Sequence, residues 1–90
     1  MQSWRSVMPR FYFDLYEGEA MALDEEGMEL KSVEAAQVEA AKSLADMARD
    51  AIHSMSAKPR DMTIDVRDEA GPIMQVRLVF DLQTKRGKTF

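Results

Sequence analysis

The side chains able to do chemistry are few and poorly matched to catalysis. The chain has one histidine and no cysteine. Thiolate attack, disulfides and zinc–thiolate sites are therefore ruled out, and a histidine pair for zinc or acid–base work is missing. His53 falls near the end of a helical stretch beside Arg49 and Asp50, where an imidazolium complements the helix dipole, so it reads as a structural residue. Neither a GxSxG elbow nor a glycine-rich phosphate loop occurs. Asp14, Glu17, Glu19, Asp24, Glu25 and Glu26 crowd the first turns and could gather round a hard cation. Their spacing departs from the twelve-residue calcium loop, and they read as solvated turn acids. A carboxylate- or metal-dependent hydrolase is thus the weakest alternative. The sequence implies no catalytic residue, cofactor, metal or small-molecule ligand.

Association chemistry has more to work with. Tyrosine and arginine are enriched at protein interfaces, and Tyr12, Tyr16, Arg67 and Arg77 fall on one face of their strands. These four residues form the candidate interaction surface. The expected partner is a second copy of the chain, or another protein. A formal charge of −4 weighs against nucleic acid, because phosphate attraction needs a basic surface. No run approaches the roughly 20 apolar residues that span a bilayer, and MQSWRSVMPR lacks the apolar centre of a signal peptide. The expectation is a cytoplasmic protein with no membrane contact.

The element positioning these residues is Ser32 to Ser56. At 100° per residue, Val33, Ala40, Leu44, Met47, Ala48, Ala51 and Met55 share one stripe, with Gln37 falling inside it, while Glu39, Lys42, Asp46, Arg49, Asp50 and His53 face away. Ser32 is the N-cap, and Lys58-Pro59 blocks continuation, which predicts a helix over about 33–55. An alanine-rich stripe favours close approach to a flat apolar surface such as a sheet.

Strands supply that surface. In RFYFDLY, Phe11, Phe13 and Leu15 alternate with Arg10, Tyr12, Asp14 and Tyr16. Short apolar pieces follow at Met21–Leu23 and Met28–Leu30. After the helix, Met62, Ile64 and Val66 alternate with Thr63, Asp65 and Arg67. Met74, Val76, Leu78, Phe80 and Leu82 then share a face opposite Gln75, Arg77, Asp81 and Gln83. Asp24-Glu25-Glu26-Gly27 and Asp68-Glu69-Ala70-Gly71 repeat one turn chemistry, an acidic start and a glycine suited to positive φ.

The prediction is an α+β fold: a two-layer, four- or five-stranded sheet, β-β-β-α-β-β, with one long amphipathic helix on one face. The first three strands are expected as a meander. The helix is expected to cross over and lay the fourth strand parallel to Arg10–Tyr16, in the order 3-2-1-4-5. The domain plan is a disordered extension over 1–8 carrying Trp4, one domain over 9–83, and a frayed basic tail over 84–90.

MPRFYFD, the DEEGMEL turn, the Glu/Ala-rich helix and VRDEAG together resemble a family of short uncharacterised proteobacterial proteins, largely rhizobial, over about residues 8–82. That resemblance implies a compact α+β fold and supplies no catalytic residues. The β-β-β-α opening is more distantly similar to the N-terminal domain of HicB-type antitoxins, which implies a regulatory or nucleic-acid-binding alternative. The chain lacks their appended DNA-binding segment. The functional expectation is a small non-enzymatic protein-interaction domain that self-associates through an open sheet face or an edge strand.

Overall fold

The computed structural model describes residues 8–53 and 60–81, with residues 83 and 85. Trp4 and the rest of the extension before Met8, Met55, Lys58-Pro59, Leu82, Thr84, Arg86 and residues 87–90 lie outside the described residues.

Five strands and one helix follow in chain order: β1 (Arg10–Glu17), β2 (Ala20–Ala22), β3 (Met28–Glu29), α1 (Val33–His53), β4 (Arg60–Asp68) and β5 (Gly71–Phe80). Local chemistry fixes the start of α1. The Ser32 hydroxyl accepts from the Ala35 N–H at 3.0 Å, and the Ser32 carbonyl accepts from the Ala36 N–H at 3.1 Å. The buried stripe of α1 is Ala36, Ala40, Leu44 and Ala51, with Met47 packed on its border. The structure corrects the predicted stripe at two residues: Ala48 is only half-buried and stands at the border of the core, and the first residue is outside it. Val33 is 44 % exposed, and Ala36, one turn further in, takes its place. Gln37 faces solvent.

Alternation builds the sheet. Phe11, Met62, Ile64 and Val66 are fully buried beneath α1, and Phe13, Leu15, Met74, Val76 and Phe80 pack against them. Cross-strand neighbours on this face are apolar pairs, Phe13 opposite Val66, Leu15 opposite Ile64, and Val76 opposite Ile64 on the other side. Replacing this layer by small side chains would open cavities under a helix whose own contribution is mostly alanine.

Two expectations about topology are overturned. The strands do not form a meander of three, because β2 and β3 both pair antiparallel with β1 on the same edge. β2 lies opposite Leu15–Glu17 and β3 opposite Arg10–Phe11. The two behave as one return strand interrupted by the 23–27 loop. In addition, β4 pairs antiparallel with β1, not parallel. The crossover rule orients the new strand relative to the strand the helix leaves, which is β3. Since β3 runs opposite to β1, α1 carries the chain over β1 and lays β4 in the direction of β3 on the far side. The sheet order is β2-β1-β4-β5, with β3 also on β1.

The two acidic turns share their chemistry as expected. Asp24 Oδ1 accepts from the N–H groups of Glu26 (3.1 Å) and Gly27 (3.0 Å), and Asp68 Oδ1 accepts from those of Ala70 (2.9 Å) and Gly71 (3.2 Å). Gly27 has φ of +73°, a region costly to any residue with a Cβ.

Candidate functional site

The sheet face turned away from α1 carries Tyr12, Asp14 and Tyr16 from β1, Asp61, Thr63, Asp65 and Arg67 from β4, and Gln75, Arg77 and Val79 from β5. Strand register sets two carboxylates, Asp14 and Asp65, directly opposite each other, a repulsive arrangement. Neighbouring side chains answer it. Arg67 reaches diagonally to Asp14, with Nε donating to Oδ2 at 2.8 Å, and Gln75 donates to Asp65 at 2.8 Å.

Asp14 is the most deeply buried charged group described, at 5 % exposure. The 23–27 loop covers it: the Asp24 N–H donates to Asp14 Oδ1 at 2.9 Å, and the Arg67 guanidinium donates to the Asp24 carbonyl at 3.0 Å. The Asp24 carboxylate turns the other way. Its Oδ2 accepts from the Phe13 N–H at 3.1 Å, occupying a β1 donor between the stretches paired by β2 and β3. Arg67 also lies over the Tyr12 ring, 4.6 Å from its centroid.

Hydrogen bonds from Arg67 hold the Asp14 carboxyl below its usual range, outweighing the burial that pushes it up, with help from the Asp24 N–H. Burial is the largest single influence on Asp24 and raises its pKa. The N–H groups of Gly27, Phe13 and Glu26 together exceed it and leave Asp24 lowered. Both are ionised at neutral pH. A carboxyl in that state has no proton to give, and its lone pairs are already engaged, so the pair suits a fixed electrostatic clasp better than acid–base chemistry.

The four predicted interaction residues are placed as two couples. Tyr12 stacks with Arg67 in the clasp. Tyr16 and Arg77 line a groove of about 240 Å³ with Gly18, Asp61, Thr63 and Gln75. A neighbouring groove of about 380 Å³ runs between Asp14, Arg67, Pro72 and Gln75. Every open-face arginine is occupied within the chain. Arg77 is paired with Asp61, with Nε donating at 2.9 Å, while Arg10 reaches Glu29 at 3.1 Å and the Glu26 carbonyl at 2.7 Å. Among the described residues Arg67 and Arg77 thus meet Asp14 and Asp61, and Arg10 meets Glu29, which leaves no basic track for a phosphate backbone on this face.

Of the six acids suspected around the first turns, the fold brings together only Asp14 and Asp24, and it places Arg67 between them. Glu17 pairs with Arg60 instead. Among the described residues no group of three or more His, Asp or Glu side chains converges as a metal site.

The chain matches a family described as a domain of unknown function, DUF6894, over residues 10–79. It belongs to the DUF6894 family. No curated protein and no solved structure matches it. The matched span runs from the first residue of β1 to the last but one of β5, so the clasp and both grooves lie inside the DUF6894 domain. No helix among the described residues is long and apolar enough to cross a membrane.

Sequence reasoning overlooked two features. One is the clasp, whose members are separated by 10, 43 and 53 residues. The other is a second apolar stripe on α1: Val38 and Ile52 are 57 % and 54 % exposed, and Ala41 and Ala45 between them face solvent too. The 3-4-7 spacing of that stripe was the available signal.

Proposed function

We propose that this DUF6894 domain is a non-enzymatic protein-association module that joins through the outer edge of its sheet, first of all with itself. One observation carries the reading. β5 is ten residues long and ends the sheet, and no described strand pairs with its outer side. Such an edge presents a row of backbone donors and acceptors that recruits another chain. Natural edges are blunted by proline, charge or bulges. Here Pro72 and the register shift opposite Val66/Arg67 lie at the start of β5, and the far end carries Leu78 and Val79, 36 % and 56 % exposed.

The open face is the poorer candidate, since its arginines already serve Asp14, Asp61 and Glu29. A cytoplasmic, regulatory role of the HicB kind would use the same edge to hold a partner protein.

Light scattering at two protein concentrations tests the proposal. The expected result is a mass that rises toward a dimer with concentration, unchanged in a Tyr12→Ala, Tyr16→Ala variant and lost in Leu78→Lys, Val79→Lys. A mass fixed at the monomer refutes self-association. Hydrolase activity with added magnesium that vanishes in Asp24→Asn would replace the reading with an enzymatic one.

A further inference from the structure

We infer that two copies of this chain pair β5 with β5, antiparallel, and bring the exposed stripes of their α1 helices together around a two-fold axis at Ala45. This rests on the association reading above and specifies its partner and geometry.

The helix supplies the first argument. At 100° per residue Val38, Ala41, Ala45, Ala48 and Ile52 fall within about 80° of one another, centred about 120° from the buried stripe of Ala36, Ala40, Leu44 and Ala51. A right-handed crossover from β3 to β4 carries this second stripe to the flank of α1 that overhangs β5, away from β1. The apolar flank and the unpaired strand edge are then neighbours on one side of the molecule.

Spacing supplies the second. α1 packs over β4 and β5 alike, so its axis stands about half a strand spacing inside β5. Adding a second β5 at about 4.8 Å, with its own helix equally set back, puts the two helix axes about 10 Å apart. Helices pack at about 8–10 Å, and alanines at the contact permit the approach. A helix centred over β4 would leave a gap too wide for contact.

The stripe is also its own complement. Running antiparallel around Ala45, Val38 of one copy lies level with Ile52 of the other, Ala41 lies level with the Ala48–Arg49 step, and Ala45 meets itself, which is what an isologous interface requires. At about 1.5 Å per residue α1 is about 32 Å long, and β5 at about 3.3 Å per residue is about 33 Å. An axis through the middle of the strand therefore passes within a turn of Ala45. A contact about 30 Å long and about 20 Å deep, helix layer plus sheet layer, covers about 600 Å² per chain. The total of about 1,200 Å² reaches the lower bound of specific interfaces.

The absence of native cysteine makes cross-linking a clean test. With helix axes about 10 Å apart, Cα atoms about 2.3 Å off each axis and Ala45 tilted about 30–45° from the line between the axes, the two Ala45 Cα atoms stand about 6–7 Å apart, at the upper end of the span a disulfide bridges. Mild oxidation of the full-length Ala45→Cys protein is expected to give mostly covalent dimer. Ser43→Cys, exposed on the opposite flank, is expected to give almost none. As a second measurement, Ala45→Glu and Ala45→Lys should each weaken self-association by about ten-fold or more, and an equimolar mixture should recover it, because unlike charges then meet at the axis. Circular dichroism checks that each variant is folded. A dimer in which Ala45→Cys cross-links no better than Ser43→Cys, or in which the mixture fails to recover, overturns this geometry while the association reading stands. A wild-type protein that never leaves the monomer overturns both.

Discussion

Gly27 offers the sharpest probe of how the clasp is built, because Gly18 provides an internal control. Both glycines have φ in the left-handed region, +59° at Gly18 and +73° at Gly27. A Cβ at Gly18 would meet nothing within 4 Å, whereas at Gly27 it would sit 2.9 Å from Arg10 Cγ, 2.9 Å from Tyr12 Cε2 and 3.0 Å from the Phe11 carbonyl oxygen. Alanine in this conformation costs about 1–2 kcal/mol, and it recovers about 0.4–1 kcal/mol by restricting the unfolded chain. Gly18→Ala should therefore destabilise by about 0.5–1 kcal/mol. Gly27→Ala carries the same backbone strain plus overpacking of about 1–3 kcal/mol, since the carbonyl belongs to β1 and cannot move independently. Its expected loss is about 2–4 kcal/mol. For a domain of this size each kcal/mol lowers Tm by about 4–8 °C, so thermal melts followed by circular dichroism should separate the variants by about 10 °C or more. Equal melting temperatures for the two would refute the claim that the 23–27 loop is pressed against β1.

Other substitutions read different parts of the same structure. Leu44→Asp puts an unpaired charge into the core beneath α1, where Leu44 is 4 % exposed, and should cost several kcal/mol out of a total of about 5–15; a native circular dichroism spectrum with unchanged melting would contradict the placement of that face. Asp24→Asn keeps the shape of the turn but sets an amide N–H₂ against either the Phe13 N–H or the turn N–H groups, with an expected loss of about 1–3 kcal/mol in urea denaturation. Asp14 and Asp24 both have lowered pKa values when folded, so the stability they add is fully present above the unfolded carboxylate value near 3.8 and is lost as pH falls through the lower folded values. Melting temperature should accordingly drop below about pH 4, and Asp14→Asn should flatten that drop; a variant with the full acid dependence of wild type would assign it to other carboxylates.

Where the determinants are local, the sequence was sufficient. Ser32 caps α1 through groups three and four residues away, and the Asp24 and Asp68 turns close over bonds two and three residues long, so residue types in a short window specify both. Alternation in β1 and β4 likewise placed Phe11, Ile64 and Val66 inside, while on β5 Leu78, expected on the same face, is left 36 % exposed. Strand direction was another matter. It depends on which strand the helix leaves, and β3 is only two residues long, too short to assert a direction from its pattern. The clasp was hidden for a related reason. Asp24 reads as a turn acid, Asp14 as one polar position in an alternating strand and Arg67 as another. Only the β1–β4 register, with Tyr12 opposite Arg67 and Asp14 opposite Asp65, brings the arginine to the carboxylate that needs it.

That register also bears on the choice, proposed above, between the two surfaces from which association was expected. Tyr12, Tyr16, Arg67 and Arg77 suggest an interface when viewed as a composition, because arginine and tyrosine contribute most when their groups meet a partner. In the folded chain the guanidinium of Arg67 is shared among Asp14, the Asp24 carbonyl and the Tyr12 ring, and Arg77 is bound to Asp61. A partner at this face would have to displace those bonds, and breaking the Arg67 clasp would leave Asp14 buried without its counter-ion. The edge of β5 asks for no such exchange. Its outward backbone groups exchange water for a strand, and Leu78, Val79, Val38 and Ile52 exchange water for apolar neighbours. The proposed interface therefore draws on residues the fold leaves unengaged, Val38 and Ile52 on α1 and Leu78 and Val79 on β5, rather than on arginines already bound within the chain.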